Sequence, residues 1–258
     1  MKLVQLSLDR RLTGILSKVS TVVITIALWE AAAFTVDSRS FPHIGSVFSD
    51  LINLLQTLAF WKSLGETLLL MSIGFAIGSI VAFAIGLTIA LNQGLDRLIS
   101  SSLNFLRSIP SVVFLPLLVA SIGASMRTAI FLTALVVSLK LVIYVSRGVL
   151  ETEKEHIEFA RLYRLNTISR IYSIYLPSLI SVVSTGFRLT ASRAFGTVIA
   201  SGIIIGTPGI GKDLLYAGAN AEYERVFSYV IVMGVIGTLL YSLFNVIERR
   251  FIRWRVVL

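Results

Sequence analysis

Residues 67–91 read TLLLMSIGFAIGSIVAFAIGLTIAL, without a single charge. A helix needs about 20 apolar residues to cross the hydrocarbon core of a bilayer, so this stretch is a membrane span. Residues 226–247 form a second span by the same criterion. The stretch 108–126 also lacks charge but is broken by Pro110 and Pro116, while 19–36 carries only Glu30 and 128–146 only Lys140. The stretch 171–211, interrupted by Arg188 and Arg193, is long enough for one span or two. Composition agrees with a membrane chain. Of 258 residues 55% are hydrophobic and 14% charged, with mean hydropathy +0.86, where a soluble domain carries about 25% charged residues.

Charge settles the ambiguous stretch. Cytoplasmic loops of membrane proteins collect Lys and Arg. With one span over 171–211 the total is six, both termini lie on one side, and fifteen of the 23 Lys and Arg fall on that side against five on the other. Two spans would put the ERRFIRWR tail (248–255) outside. The expectation is an all-α integral membrane protein of about six transmembrane helices, one domain over 1–258, with both termini cytoplasmic. The N-terminus, MKLVQLSLDRRLTGILSKV, is basic then apolar like a signal peptide. No convincing small-residue cleavage site follows, so it is read as a cytoplasmic tail entering an uncleaved span. The net charge of +9 needs no nucleic acid when basic loops explain it. There is no cysteine, and His43 and His156 stand far apart without a ligand cluster, so disulfides and thiolate chemistry are excluded and no metal site is expected.

Within this span, the second in chain order, Gly74, Gly78, Ala82, Gly86 and Ala90 recur every four residues, making one stripe along a helix. Small residues let backbones approach closely in lipid, where packing drives association. The stripe reads as a packing face, with a pore lining as the alternative.

The most polar stretch is ETEKEHIEFARLYRLNTISRIYSIYLP (151–177). Its acids, Glu151, Glu153, Glu155 and Glu158, precede its bases, Arg161, Arg164 and Arg170, in the order that complements a helix dipole. A helix is expected from near Thr152, with Asn166 and Thr167 offering a break and a fresh N-cap. An ordinary solvated loop helix fits this pattern equally well.

The stretch also resembles the cytoplasmic EAA loop of ATP-binding-cassette importer permeases. Glu158-Phe159-Ala160 stands where that family has Glu-Ala-Ala, and Leu176-Pro177 follows at the family's distance. The segment FPHIGSVFSDL (41–51), Arg107-Ser108-Ile109-Pro110, Gly186-Phe187-Arg188-Leu189 with Arg193-Ala194-Phe195, and the end of the chain (226–255) resemble the branch serving nitrate, sulfonate, taurine, bicarbonate and thiamine-precursor importers. Four positions depart from it: Phe159 for an alanine, Arg164 for the loop glycine, Gly202 for a glutamate and Lys140 for a proline. The resemblance implies a type I importer permease of a bacterial inner membrane, not itself an enzyme. Its implied partners are a second copy of the chain, an external solute-binding protein, and cytoplasmic ATPase subunits that hold ATP and magnesium. It places the coupling loop at about 150–172, with Glu158, Phe159, Ala160, Arg161, Arg164, Leu165, Asn166, Leu176 and Pro177. Ala160 and Leu165 would make the apolar contact, and Glu158 and Arg161 a polar latch.

Charges inside spans normally face a cavity or a partner. Arg188 and Arg193 are turned about 140° apart by their five-residue separation. Either one pairs within the chain, with Glu30 the nearest acid by type, while the other faces a small anionic solute beside Lys140, or both are structural. Gly206-Thr207-Pro208-Gly209-Ile210-Gly211-Lys212 mimics a phosphate-binding loop, but Asp213 stands where a magnesium-holding Ser or Thr is required. It is read as an outer turn. An ion-gradient transporter is disfavoured because no internal repeat is evident and only Glu30 is a carboxylate within a span. A membrane scaffold without transport is the other alternative.

Overall fold

The computed structural model describes residues 2–36, 39–152 and 154–251. The regular elements among them are helices: α1 (Lys2–Val36), α2 (Ile44–Gln56), α3 (Leu58–Leu91), α4 (Gln93–Ser108), α5 (Phe114–Ile122), α6 (Met126–Leu150), α7 (Lys154–Leu162), α8 (Thr167–Arg170), α9 (Leu176–Ile205), α10 (Ile210–Ala219) and α11 (Tyr223–Phe251). A 3-10 turn, Ser111–Val113, precedes α5, and a π-helical turn, Ile171–Tyr175, precedes α9. Glu153, Arg253 and Arg255 lie outside the described residues, as do the side chains of Lys2, Arg10, Arg11, Lys18 and Arg161.

Among the described residues three helices, α3, α6 and α11, are long and apolar enough to cross a membrane unbroken. Two helix pairs among the described residues pass the same test only together, each a broken span or a re-entrant loop, bent by 89° between Ile99–Ser108 and Ser111–Ile122 and by 61° between Ile168–Ile180 and Val182–Ile205. Pro110 explains the first bend, because it lacks an amide hydrogen and pushes the residue before it out of helical geometry. The apolar part of α1, Ser20–Val36, is a further apolar helix, shorter than these.

These residues form two compact units. The first holds the described residues up to Thr57 together with Tyr216–Ile231. Here Trp29 donates its indole N–H to the Pro42 carbonyl at 3.0 Å and packs on the rings of Phe41 and Phe227. Arg225 grips Asp50 through two nitrogens at 2.8–3.0 Å, and the Ser228 hydroxyl donates to the Val47 carbonyl.

The second unit, Leu58–Leu215 with the described residues from Val232 to Phe251, is built on α3, α6 and α9. The small-residue row of α3 lies against α6. A Cβ added at Gly74, Gly78 or Gly86 would stand 2.7 Å from the Cβ of Thr133, Val137 or Val145 respectively. Ala82, in the same row, is fully buried. Lipid tails are as apolar as these helices, so close backbone approach and dispersion hold the pair, not exclusion of water. α6 and α9 run antiparallel: Gly148 faces Leu179, Gly186 faces Leu141 and Tyr144, and Val137 shares a cluster with Ala194 and Phe195.

The turn after α9 is fixed by three observations. Gly206 ends the helix at φ +68. The Thr67 hydroxyl accepts from the Ile210 N–H at 2.9 Å and donates to the Ser63 carbonyl at 2.9 Å. Gly202 meets Gly211 backbone to backbone, so a Cβ on Gly202 would lie 2.9 Å from the Gly211 Cα. That contact leaves no room for a glutamate at 202, which accounts for this departure from the importer pattern. The phosphate-loop look-alike is thus a turn between two helices.

Candidate functional site

Arg188 is neutralised within the chain. Its Nη1 stands 2.9 Å from Glu248 Oε2 and donates to Asn245 Oδ1 at 3.1 Å, and its guanidinium carbon lies 5.2 Å from the centre of the Tyr241 ring. The Thr185 hydroxyl donates to the other oxygen of Glu248 at 3.3 Å. The acid for this arginine is therefore Glu248, not Glu30, which corrects the expectation drawn from sequence. α11 stays helical to Phe251, so Glu248 belongs to the helix face of Tyr241 and Asn245 and not to a tail. Positions 241, 245 and 248 recur at helical spacing in an apolar run, and that was the available signal. Glu30 is occupied elsewhere. His43 Nδ1 stands 2.8 Å from its Oε1, and the Ile44 N–H donates to Oε2 at 3.1 Å, so Glu30 caps the start of α2.

Arg193 faces a different environment. With Lys140 from α6 and Arg107 from the end of α4 it lines a cavity of ≈ 390 Å³. No aspartate or glutamate is among the described residues lining it. A charge at the centre of a span costs about 2.5–3.5 kcal/mol on insertion scales, and the described residues lining this opening offer its three cations no acid. An anion would supply the counter-charge. Arg107 was counted from sequence with the cytoplasmic bases, and its place at the cavity goes with the break at Pro110.

The loop between α6 and α9 is closed by backbone geometry. α7 ends in a left-handed residue, Arg164, at φ +47. The Leu165 N–H donates to the Ala160 carbonyl and the Tyr163 N–H to the Phe159 carbonyl, both at 3.0 Å. This is the helix stop that glycine normally serves, and it stands where the resembled family has glycine. Asn166 caps the next turn, its Oδ1 accepting from the Ser169 N–H at 2.7 Å. Arg170 Nε donates to the Leu165 carbonyl at 3.0 Å. Outward from this frame stand Glu158, Phe159 and Leu162, the last 80% exposed, with the Phe159 and Tyr163 rings 4.3 Å apart. Ala160 is 1% exposed. It packs inside the loop, so it is not the docking contact the sequence suggested. Leu165 is half-buried, and Leu176 and Pro177, at the start of α9, are exposed.

Residues 74–253 match the family described as binding-protein-dependent transport system inner membrane component. The putative aliphatic sulfonates transport permease protein SsuC of Escherichia coli (strain K12) is 27% identical over 231 residues, 89% of this chain and 88% of that one. The bicarbonate transport system permease protein CmpB of Synechococcus elongatus is 24% identical over 196 residues, 76% of this chain and 67% of that one. In fold, the chain resembles the MetNI methionine ABC transporter in its inward-facing conformation, with a TM-score of 0.67 and 18% identity over 75% of this chain and 96% of that one. Several apolar helices and a family match over more than two-thirds of the sequence lead to one assignment: the chain belongs to the binding-protein-dependent inner membrane transport components, the multi-pass permeases of ATP-binding-cassette importers.

Proposed function

We propose that this chain forms the solute path of an importer for a small anion and that residues 150–172 dock on cytoplasmic ATPase subunits. The observation that carries the solute class is the cavity of Arg107, Lys140 and Arg193 without an acid. The names of the sulfonate and bicarbonate relatives support the same class. ATP and magnesium belong to the ATPase partners. A second copy of this chain and an external solute-binding protein complete the assembly, with both termini cytoplasmic.

The loop suits a partner's groove, because Phe159, Leu162 and Tyr163 present apolar surface beside the charge of Glu158. Motion imposed there has a stiff route inward. The closure at Arg164, the Asn166 cap and the Arg170 tie join α7 to α8, and the chain runs on through the π-turn into α9, which carries Arg193.

Leu162→Asp and Phe159→Asp should leave the chain inserted while abolishing copurification with the ATPase and ATP-dependent uptake. Retention of both would overturn the docking surface. For orientation, a cysteine at Ser169 should be shielded from impermeant thiol reagents in intact cells while one at Ala219 reacts.

A further inference from the structure

Another cavity, of ≈ 250 Å³, lies within the first compact unit. Arg39 and Glu224 both line it, and both are exposed. Among the described residues neither is ion-paired, whether to the other or to a third group. Phe41, Pro42 and His43 form another part of the lining. Trp29 packs on Phe41 and donates to the Pro42 carbonyl at 3.0 Å, and Glu30 holds His43 at 2.8 Å. Two consecutive residues of α1 thus fix this wall before anything enters, which lowers the cost of binding. Both charges stand where an apolar stretch stops. The apolar part of α1 ends at Val36, just before Arg39, and α11 begins its crossing at Tyr223, beside Glu224. Charges just beyond an apolar span lie at the depth of lipid head groups. The ≈ 250 Å³ equals roughly eight waters at ~30 Å³ each and falls short of the ~300–1,000 Å³ of pockets that enclose a whole organic ligand. It suits a head group whose remainder lies outside, against Phe34, which is 68% exposed with its ring 4.8 Å from that of His43.

We propose that this cavity holds the head of a zwitterionic phospholipid, phosphatidylethanolamine, with its phosphate on Arg39, its ammonium on Glu224 and an acyl chain along Phe34. The planar guanidinium suits phosphate because it donates to two oxygens at once. The carboxylate accepts the hydrogen bonds of the ammonium. A phosphatidylglycerol head brings Glu224 no cation, and the trimethylammonium of phosphatidylcholine has no N–H to donate. With both termini cytoplasmic, the lipid belongs to the outer leaflet.

The full chain, stripped of lipid in detergent, is mixed with equal amounts of phosphatidylethanolamine, phosphatidylcholine and phosphatidylglycerol of matched acyl chains. Bound lipid is then counted by native mass spectrometry. Neither an ATPase nor a transported solute enters the measurement, so its outcome is independent of the importer reading. Phosphatidylethanolamine should be retained about three- to fivefold over either competitor, the worth of one exposed ion pair. Glu224→Gln should erase its advantage over phosphatidylcholine. Arg39→Gln should weaken retention of all three lipids, and Arg39→Lys should restore part of it. Both side chains are exposed and unpaired, so these changes remove no ion pair of the fold. Lys62→Gln, at an exposed cation that does not line the cavity, should change nothing. Equal retention of the three lipids, or a preference for phosphatidylglycerol, would overturn the proposal. So would an advantage that survives Glu224→Gln, or a loss with Lys62→Gln equal to that with Arg39→Gln. Displacement of the lipid by free phosphoethanolamine or glycine would make the occupant a soluble zwitterion and overturn the lipid.

Discussion

Arg188 and Arg193 sit five residues apart on α9, and the two faces they occupy are built on different terms. Around Arg188 the protein supplies a carboxylate, an amide and an aromatic ring from α11, and the arginine and the Glu248 side chain keep only 20% and 17% exposure. Around Arg193 it supplies two more cations and an opening. A charge in a span carries a similar solvation cost on either face. On the first face the cost is met by the fold, and on the second it is left to be met by whatever enters. The first arginine should therefore govern stability and the second should govern transport.

The sharpest way to break this contrast is to remove one half of the pair. Glu248→Gln leaves Arg188 without its counter-charge and should cost about 3–5 kcal/mol, toward the lower figure because the pair is not sealed from solvent. Arg188→Met with Glu248→Met should recover most of that loss, because it removes both desolvated charges together. Unfolding in micelles measures both. A neutral Glu248→Gln would show that the pair does not hold the face together.

The second test exchanges the readout. Arg193→Gln should change stability by less than about 1 kcal/mol, because it relieves repulsion within the cavity. It should lower uptake of an anionic solute about 10- to 100-fold, the worth of roughly 1.5–3 kcal/mol for one charged hydrogen bond. The double variant Arg188→Gln with Glu248→Gln should keep uptake at matched membrane levels. Full uptake with Arg193→Gln would erase the difference between the two faces.

Glycines on the same helix sharpen the contrast without touching charge. A Cβ at Gly186 would lie 2.7 Å from the Tyr144 ring and 2.8 Å from Leu141, whereas one at Gly196 meets nothing within 4 Å. Gly186→Ala should cost about 1–3 kcal/mol through overpacking. Gly196→Ala should gain up to about 1 kcal/mol from helix propensity alone. Opposite signs in thermal denaturation are the expected result, and a destabilising Gly196→Ala would mean that the cavity is packed.

What the sequence disclosed follows a physical line. Spans were legible because missing charge is a local property of a window, as in 67–91. The row at 74, 78, 82 and 86 was legible as one face because its period is that of a helix, although only the fold shows that α6 lies against it. Glu248 was missed because its meaning lies in a contact with α9 some sixty residues away, and in sequence it reads as the first residue of a basic tail. Arg107's share in the cavity was not legible, because it depends on where the break at Pro110 turns the chain. Ala160 was assigned to the wrong surface because periodicity gives a helix its faces without saying which one the chain folds over. Asn166 was read correctly as a cap because capping is decided within four residues.

The smallest effect lies off α9, at a charge held in place by backbone geometry. Arg164 occupies the left-handed conformation at φ +47, which costs a residue with a Cβ roughly 1–2 kcal/mol. Glycine would adopt it freely but would also gain freedom in the unfolded chain, so Arg164→Gly should stabilise the loop by about 0.5–1 kcal/mol. Two- to fivefold slower hydrogen exchange of the amides around Leu165 would register that gain. A strained arginine with no role beyond the chain is a simple fault. One that touches the ATPase is a trade of local stability for affinity, the same logic by which the Arg193 face stays uncompensated. The expected result is therefore a loop that is more protected and an ATPase that binds less tightly, by about 1–3 kcal/mol for a lost charged contact. Greater protection with unchanged ATPase affinity would confine the uncompensated-charge logic to the membrane cavity and leave Arg164 as a tolerated substitution in a glycine turn.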